Sequence, residues 1–153
     1  MEKWLNFQLI FGLTVVVLSS VGLFLNKNGE VKIIPETYVG VAGQNIKVEL
    51  ARTPEVQARG LSGRESLKEN EGMLFVFDNL GRHGFWMKDM NFPIDIIWIS
   101  EDKKVVYIKK DAKPHSYPEI FAPDEDALYA LEVVFGFSDK YGLKEGDSVE
   151  FAY

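Results

Sequence analysis

Apolar and polar positions follow two different patterns along this chain. The first is one long uncharged run, Phe7 to Leu25, FQLIFGLTVVVLSSVGLFL. Coiled as a helix at about 1.5 Å per residue it reaches about 28 Å, close to the thickness of a bilayer core. Trp4 lies where an interfacial aromatic belongs, with Lys3 before the run and Lys27 after it. The pattern predicts one N-terminal transmembrane helix within residues 1–27, acting as an uncleaved signal anchor. A cleaved signal peptide is the competing reading, although the small-x-small cleavage pattern is poor. Both send the remaining chain outside the cytoplasm, and the anchor makes it a single-pass protein of the cell membrane. The stretch NKNGEVKIIPETYVG, punctuated by Asn-Gly and Pro35, reads as a tether, so a linker is expected over 28–40 and one globular domain over 41–153.

Within that domain the period falls to two. NIKVELA sets Ile46, Val48 and Leu50 against Asn45, Lys47 and Glu49, the mark of a half-buried strand. Thr53 then offers an N-cap, Pro54 suits the first helical position and Glu55 the positive helix end, giving a short helix that stops at Gly60. Ser66 is expected to open another helical turn before Gly72. MLFVF is an apolar strand, DNLGRHG a loop, and Ile94 to Ile99 a strand whose hairpin partner, VVYI, follows the turn SEDKK. Lys110 to Asp126 holds three prolines and reads as a long surface loop. ALYALEVVF is another buried strand, FSDKYGL a short helix capped by Ser138 and stopped by Gly142, and KEGDSVEFAY a turn into a last strand. Some six strands and two or three short helices predict a mainly β or α+β fold: a compact, mostly antiparallel sheet, barrel-like or open.

The ordered blocks RGLSGRESLKENEGMLFVF, FWMKDMNFPIDIIWI, ALYALEV and YGLKEGDSVEF resemble the domain of unknown function 192 family, from about Ile46 to Phe151. The resemblance implies a single compact β-rich domain, often exported or membrane-anchored, and brings no established activity, substrate or cofactor. Ser62 stands where the family's pattern often has Met.

Composition narrows the function. A net charge of -6, without a basic stripe interleaved with aromatics, argues against a nucleic acid partner. The absence of cysteine excludes disulfides, thiolate metal sites and a cysteine nucleophile. No nucleotide fingerprint occurs, and no cofactor is expected. What stands out is a pair of acids in strands that should be buried. Asp95 shares a face with Ile97 and Ile99, and Glu132 shares one with Leu128, Ala130 and Val134. A buried carboxyl must be paired, hydrogen-bonded or protonated. Lys88, Arg59, Arg64, Arg82 or backbone N–H groups of the DMNFP bend are candidate partners of Asp95, which would then clasp the fold.

Three functional readings follow. Phe85, Trp86 and Phe92, with His115 and Tyr117 of the long loop, offer an aromatic wall for a glycan, peptide or small molecule, and Arg59 and Arg64 a clamp for an anionic group. The leading expectation is therefore a ligand- or partner-binding accessory module, with Asp95 among the binding residues. If Asp95 and Glu132 converged, they would instead form the acid pair of a hydrolase of cell-envelope glycans. His83, Met87 and Met90 combine imidazole and thioether groups suited to soft copper ions, although core packing accounts for the methionines more simply. Whether the domain is an enzyme is left open, with binding favoured.

Overall fold

The computed structural model describes residues 21–25, 31–35 and 37–153. Strand β1 (Val21–Leu25) pairs antiparallel with β2 (Val31–Pro35), Val21 opposite Pro35 and Leu25 opposite Val31. This hairpin belongs to a unit ending at Pro35, and the remaining fold to a unit running from Glu36 to Tyr153. Residues 1–20 of the expected membrane helix lie outside the described residues. Its last positions, 21–25, form β1 instead, which a Val/Leu/Phe-rich segment sustains when a partner strand takes its backbone hydrogen bonds. Among the described residues no helix is long and apolar enough to cross a membrane.

In the second unit, β3 (Thr37–Val41) and β4 (Gln44–Ala51) form a hairpin. The sheet thus starts within the stretch expected to be linker, because Val39 and Val41 are buried once β3 pairs on both sides. Helix α1 (Pro54–Arg59) follows, then β5 (Glu71–Gly81), β6 (Ile94–Ile99), β7 (Val105–Ala112), β8 (Ala127–Val134), the short helix α2 (Phe137–Lys140) and β9 (Val149–Phe151). The sheet order is β7-β6-β8-β5-β4-β3-β9, antiparallel except for β4 and β5. Parallel neighbours need a crossover, and α1 with the segment after it supplies this one. The sheet curls into a half-barrel whose edges meet along a short seam, where Lys104 bridges Ser148, Val149 N–H donates to the Lys103 carbonyl (2.9 Å) and Val105 N–H to the Asp147 carbonyl (2.9 Å).

Both faces of the sheet are covered, which explains why β6 is buried at every position. Inside the curl, Val39, Ile46, Leu74, Ile97, Leu131, Val133 and Phe137 form one cluster. On the outer face, Met73, Phe75, Ile96, Trp98 and Ala130 pack against Leu61, Phe85, Met87, Met90 and Phe121 from the connecting segments. Several local expectations change. The stretch after Ser66 forms no helix, and β5 runs into the expected DNLGRHG loop as far as Gly81, with a register shift between Val76 and Gly81. β7 extends to Ala112, a single 3-10 turn follows at Pro114–Ser116, and a bridge between Phe85 and Phe121 pins the rest of the long loop over the outer cluster. Ser138 does not cap α2: Gly136 holds that position, at φ 80.

Candidate functional site

The two buried acids lie on adjacent strands but one residue out of step. Asp95 pairs with Val133, and Ile96 with Glu132. Since side chains alternate across a sheet, Asp95 turns to the inner face and Glu132 to the outer one. They do not converge, so the acid-pair hydrolase has no geometric basis.

Asp95 is 1% exposed and fully engaged. Its carboxylate accepts hydrogen bonds from the backbone N–H groups of Asp111 (3.0 Å), Gly136 (3.3 Å) and Ser138 (2.9 Å). These donors belong to the end of β7 and the start of α2, so the acid ties both to β6. None of the arginines or lysines considered from the sequence partners it, nor does the DMNFP bend. Clasping is its structural role, and placement on the inner face removes it from the aromatic wall.

Glu132 is in the opposite state. It sits between Met73 of β5 and Ile96 of β6, 5% exposed, and its Oε2 has no hydrogen-bond partner among the described residues. Burial pushes its carboxyl up to about 8, against a smaller opposing pull from Arg64. Arg64 is itself engaged: its guanidinium forms a two-pronged ion pair with Glu49 (2.5 and 2.8 Å), which holds Glu49 below the usual carboxylate range. At neutral pH Glu132 is a neutral acid, able to donate as well as accept.

A cleft of about 210 Å³ opens onto this acid. Its walls are Leu61, Phe75, Phe77, Phe85 and Met90, with Gln57, Arg59, Ser62 and the half-exposed Trp86 also lining it. Gly60 makes the opening possible. It ends α1 at φ 51, ψ -131, a conformation few side-chain-bearing residues adopt. A Cβ there would stand 3.4 Å from Phe75 Cζ and 3.6 Å from Glu132 Oε2, covering the carboxyl.

Side-chain bonds fix the surrounding segments. Thr53 Oγ1 caps α1 by accepting from Val56 N–H, and Gln57 Nε2 donates to the Ala51 and Val76 carbonyls, which anchors the helix to β4 and β5. Ser62 Oγ donates to the Lys88 carbonyl (2.7 Å), and Gly63 N–H to that of Asp89 (2.8 Å), stitching the turn after α1 to the 85–91 segment.

Of the residues singled out in the sequence, Arg59, Phe85, Trp86, Met90 and Glu132 come together at the cleft. Tyr117 stands beside it, its ring edge-on to Trp86 at 6.1 Å, and His115 is exposed on the 3-10 turn. Phe92 is half-buried against the outer cluster. Arg64 lies off the cleft. His83 stacks on Phe77 at 3.5 Å with its Nε2 against the Asn79 carbonyl, and Met87 is buried in the outer cluster. Among the described residues no group of three or more His, Asp or Glu is placed to hold a metal ion. Gly60, Leu61, Phe75 and Phe77 were not foreseen as site residues. Gly60 was legible only as a helix stop, and the others only as core.

The family model for DUF192, described as uncharacterized ACR, matches residues 36–151. Among solved structures, a protein of unknown function from Novosphingobium aromaticivorans is similar at 32% identity and a TM-score of 0.71, covering 86% of this chain and 94% of its own. Another, from Sinorhizobium meliloti, whose description suggests a transcription regulator, is 29% identical with a TM-score of 0.70, covering 76% of this chain and 92% of its own. No curated protein matches the chain.

Proposed function

Because the chain belongs to the uncharacterized family DUF192, a membership that carries no activity, we propose a function from the cleft itself: a binding module that takes a small ligand over Glu132. One observation carries this, a buried carboxylic acid with an unpartnered oxygen at a cleft walled by aromatic rings. Leaving such a group unsatisfied costs about 1–3 kcal/mol, which a ligand able to hydrogen-bond it would recover. At about 210 Å³ the cleft is below the usual 300–1,000 Å³ of small-molecule sites, so it suits one ring or one chain end of a larger molecule. The exposed Trp86 indole beside it supplies a stacking surface. Binding is favoured over catalysis because the acids that share Glu132's face of the sheet are engaged away from the cleft, Glu49 by Arg64 and Glu71 by Lys68.

The uncharged run that opens at Phe7, although its last five positions pair as β1, supports a membrane-anchored module whose domain lies outside the cytoplasm. Transcription regulation, suggested for the Sinorhizobium relative, draws no support from a chain of net charge -6. The test is a thermal-shift panel of glycans, peptides and small molecules on the full chain beside Trp86→Ala. A ligand that raises the melting temperature of the native chain and not of the variant places binding at the cleft. Equal shifts in both for every ligand would reject it. Protease applied to intact spheroplasts tests the topology: digestion of the domain supports an external location, and protection refutes it.

A further inference from the structure

The geometry points to an alkylammonium ion, the protonated amine at the end of an aliphatic chain, as the ligand of the cleft, its charge paired with the Glu132 carboxylate among aromatic rings. This rests on the binding function proposed above and names the ligand class.

Three features carry it. First, the acid is buried among apolar side chains and its Oε2 meets no donor among the described residues, so its charged form lacks both a donor and a counter-ion. An ammonium supplies that charge together with three donors, whereas a hydroxyl supplies one. Second, the wall is aromatic. The Phe85 ring stands at 81° to Phe75 with centroids 4.8 Å apart, and at 80° to Phe77 at 6.4 Å. Rings at right angles present faces in more than one direction, and cations are drawn to ring faces. Trp86 extends the aromatic lining with an exposed indole. Third, the neighbouring cations do not occupy the place. Arg64, in the turn after α1, is held by Glu49 of β4, and Arg59, the last residue of α1, is exposed where solvent screens it. From β5 and β6, the residues directly opposite Glu132 are the apolar Met73 and Ile96.

Protons must balance in this exchange. The free site holds the neutral acid, the bound site a carboxylate beside an ammonium that keeps its own proton, so each amine bound releases the Glu132 proton to solvent. With the free carboxyl near 8, about 0.9 proton is released at pH 7. Affinity for the amine should rise about tenfold per pH unit between 6 and 7.5, then level off above 8. An uncharged ligand produces neither effect.

The experiment is titration calorimetry of the full chain with n-pentylamine and its neutral isostere n-pentanol, in buffers of different ionisation enthalpy, on native protein and Glu132→Gln. The expected result is binding of the amine with release of about 0.9 proton at pH 7. Pentanol should bind at least tenfold more weakly, and the Glu132→Gln variant should lose amine affinity at least tenfold while pentanol is unaffected. Pentanol binding as tightly as pentylamine, or amine binding without proton release, overturns the ammonium assignment. A glycan or peptide that binds without proton release and is lost with Trp86→Ala overturns the assignment alone and leaves the binding module standing. If no ligand of any class depends on Trp86, both fall.

Discussion

Replacing Glu132 by Gln removes a titrating group from the middle of the sheet while keeping its shape. In the folded protein the Glu132 carboxyl titrates near 8, against 4.5 in an open chain. Below pH 4.5 both states hold the proton and the shift has no effect. Between 4.5 and 8 the folded state keeps the proton that the unfolded state has lost, so stability falls as pH rises, by about 1.4 kcal/mol per unit. At pH 7, two and a half units above 4.5, the loss is about 3 kcal/mol, and above pH 8 it levels off at about 5 kcal/mol. The amide introduced by Glu132→Gln cannot titrate, so the stability gap between variant and native protein should move in the variant's favour by about 3 kcal/mol from pH 4.5 to pH 7. The gap is the diagnostic, because any cost of burying an amide instead of a neutral acid is the same at every pH. Urea unfolding of both proteins at pH 5, 6, 7 and 8 measures it, and at pH 7 the thermal midpoints should shift relative to pH 5 by about 10 °C. Stability curves that run parallel across this range would show that Glu132 is solvated or paired, and the cleft chemistry derived from it would fail.

Other substitutions examine the scaffold and the cleft separately. Asp95→Asn leaves one acceptor oxygen and an amide donor facing three backbone N–H groups, and should cost about 3 kcal/mol in urea unfolding; a loss under about 0.5 kcal/mol would refute the clasp. Gly72→Ala should cost about 3 kcal/mol or prevent folding, since a Cβ would lie 2.6 Å from the Glu132 carbonyl oxygen and push β5 from β8; native stability in a melt would contradict that close approach. Trp86→Ala, at a residue 46% exposed, should change stability by less than about 1 kcal/mol while weakening any cleft ligand at least tenfold; unchanged affinity would take Trp86 out of the site.

Much of the local structure was legible in the sequence because its causes are local. Thr53, Pro54 and Gly60 bracket α1 by capping, by a preset φ and by a positive φ, all properties of single residues. Alternation marked β4, and continuous apolar runs marked β6 and β8, where one acid in each announced an unusual buried group. The β3 strand was missed because five residues beside Pro35 carry little periodic signal, and pairing with β4 and β9 is what buries them.

The sequence by itself determined that two carboxyl groups would enter apolar strands, that a glycine would end the helix before them, and that aromatics would cluster in the segment from Phe85 to Phe92. Tertiary structure alone decided what each acid became. The register Asp95 to Val133 places the acids on opposite faces, so one meets three backbone donors and stays engaged while the other meets a cleft. The same assembly spent Arg64 on Glu49, far away in sequence, and brought Gly60 over Glu132. Periodicity tells which side chains along one strand share a face. Which face of a neighbouring strand they join depends on register between segments remote in sequence, and only the folded sheet contains that information.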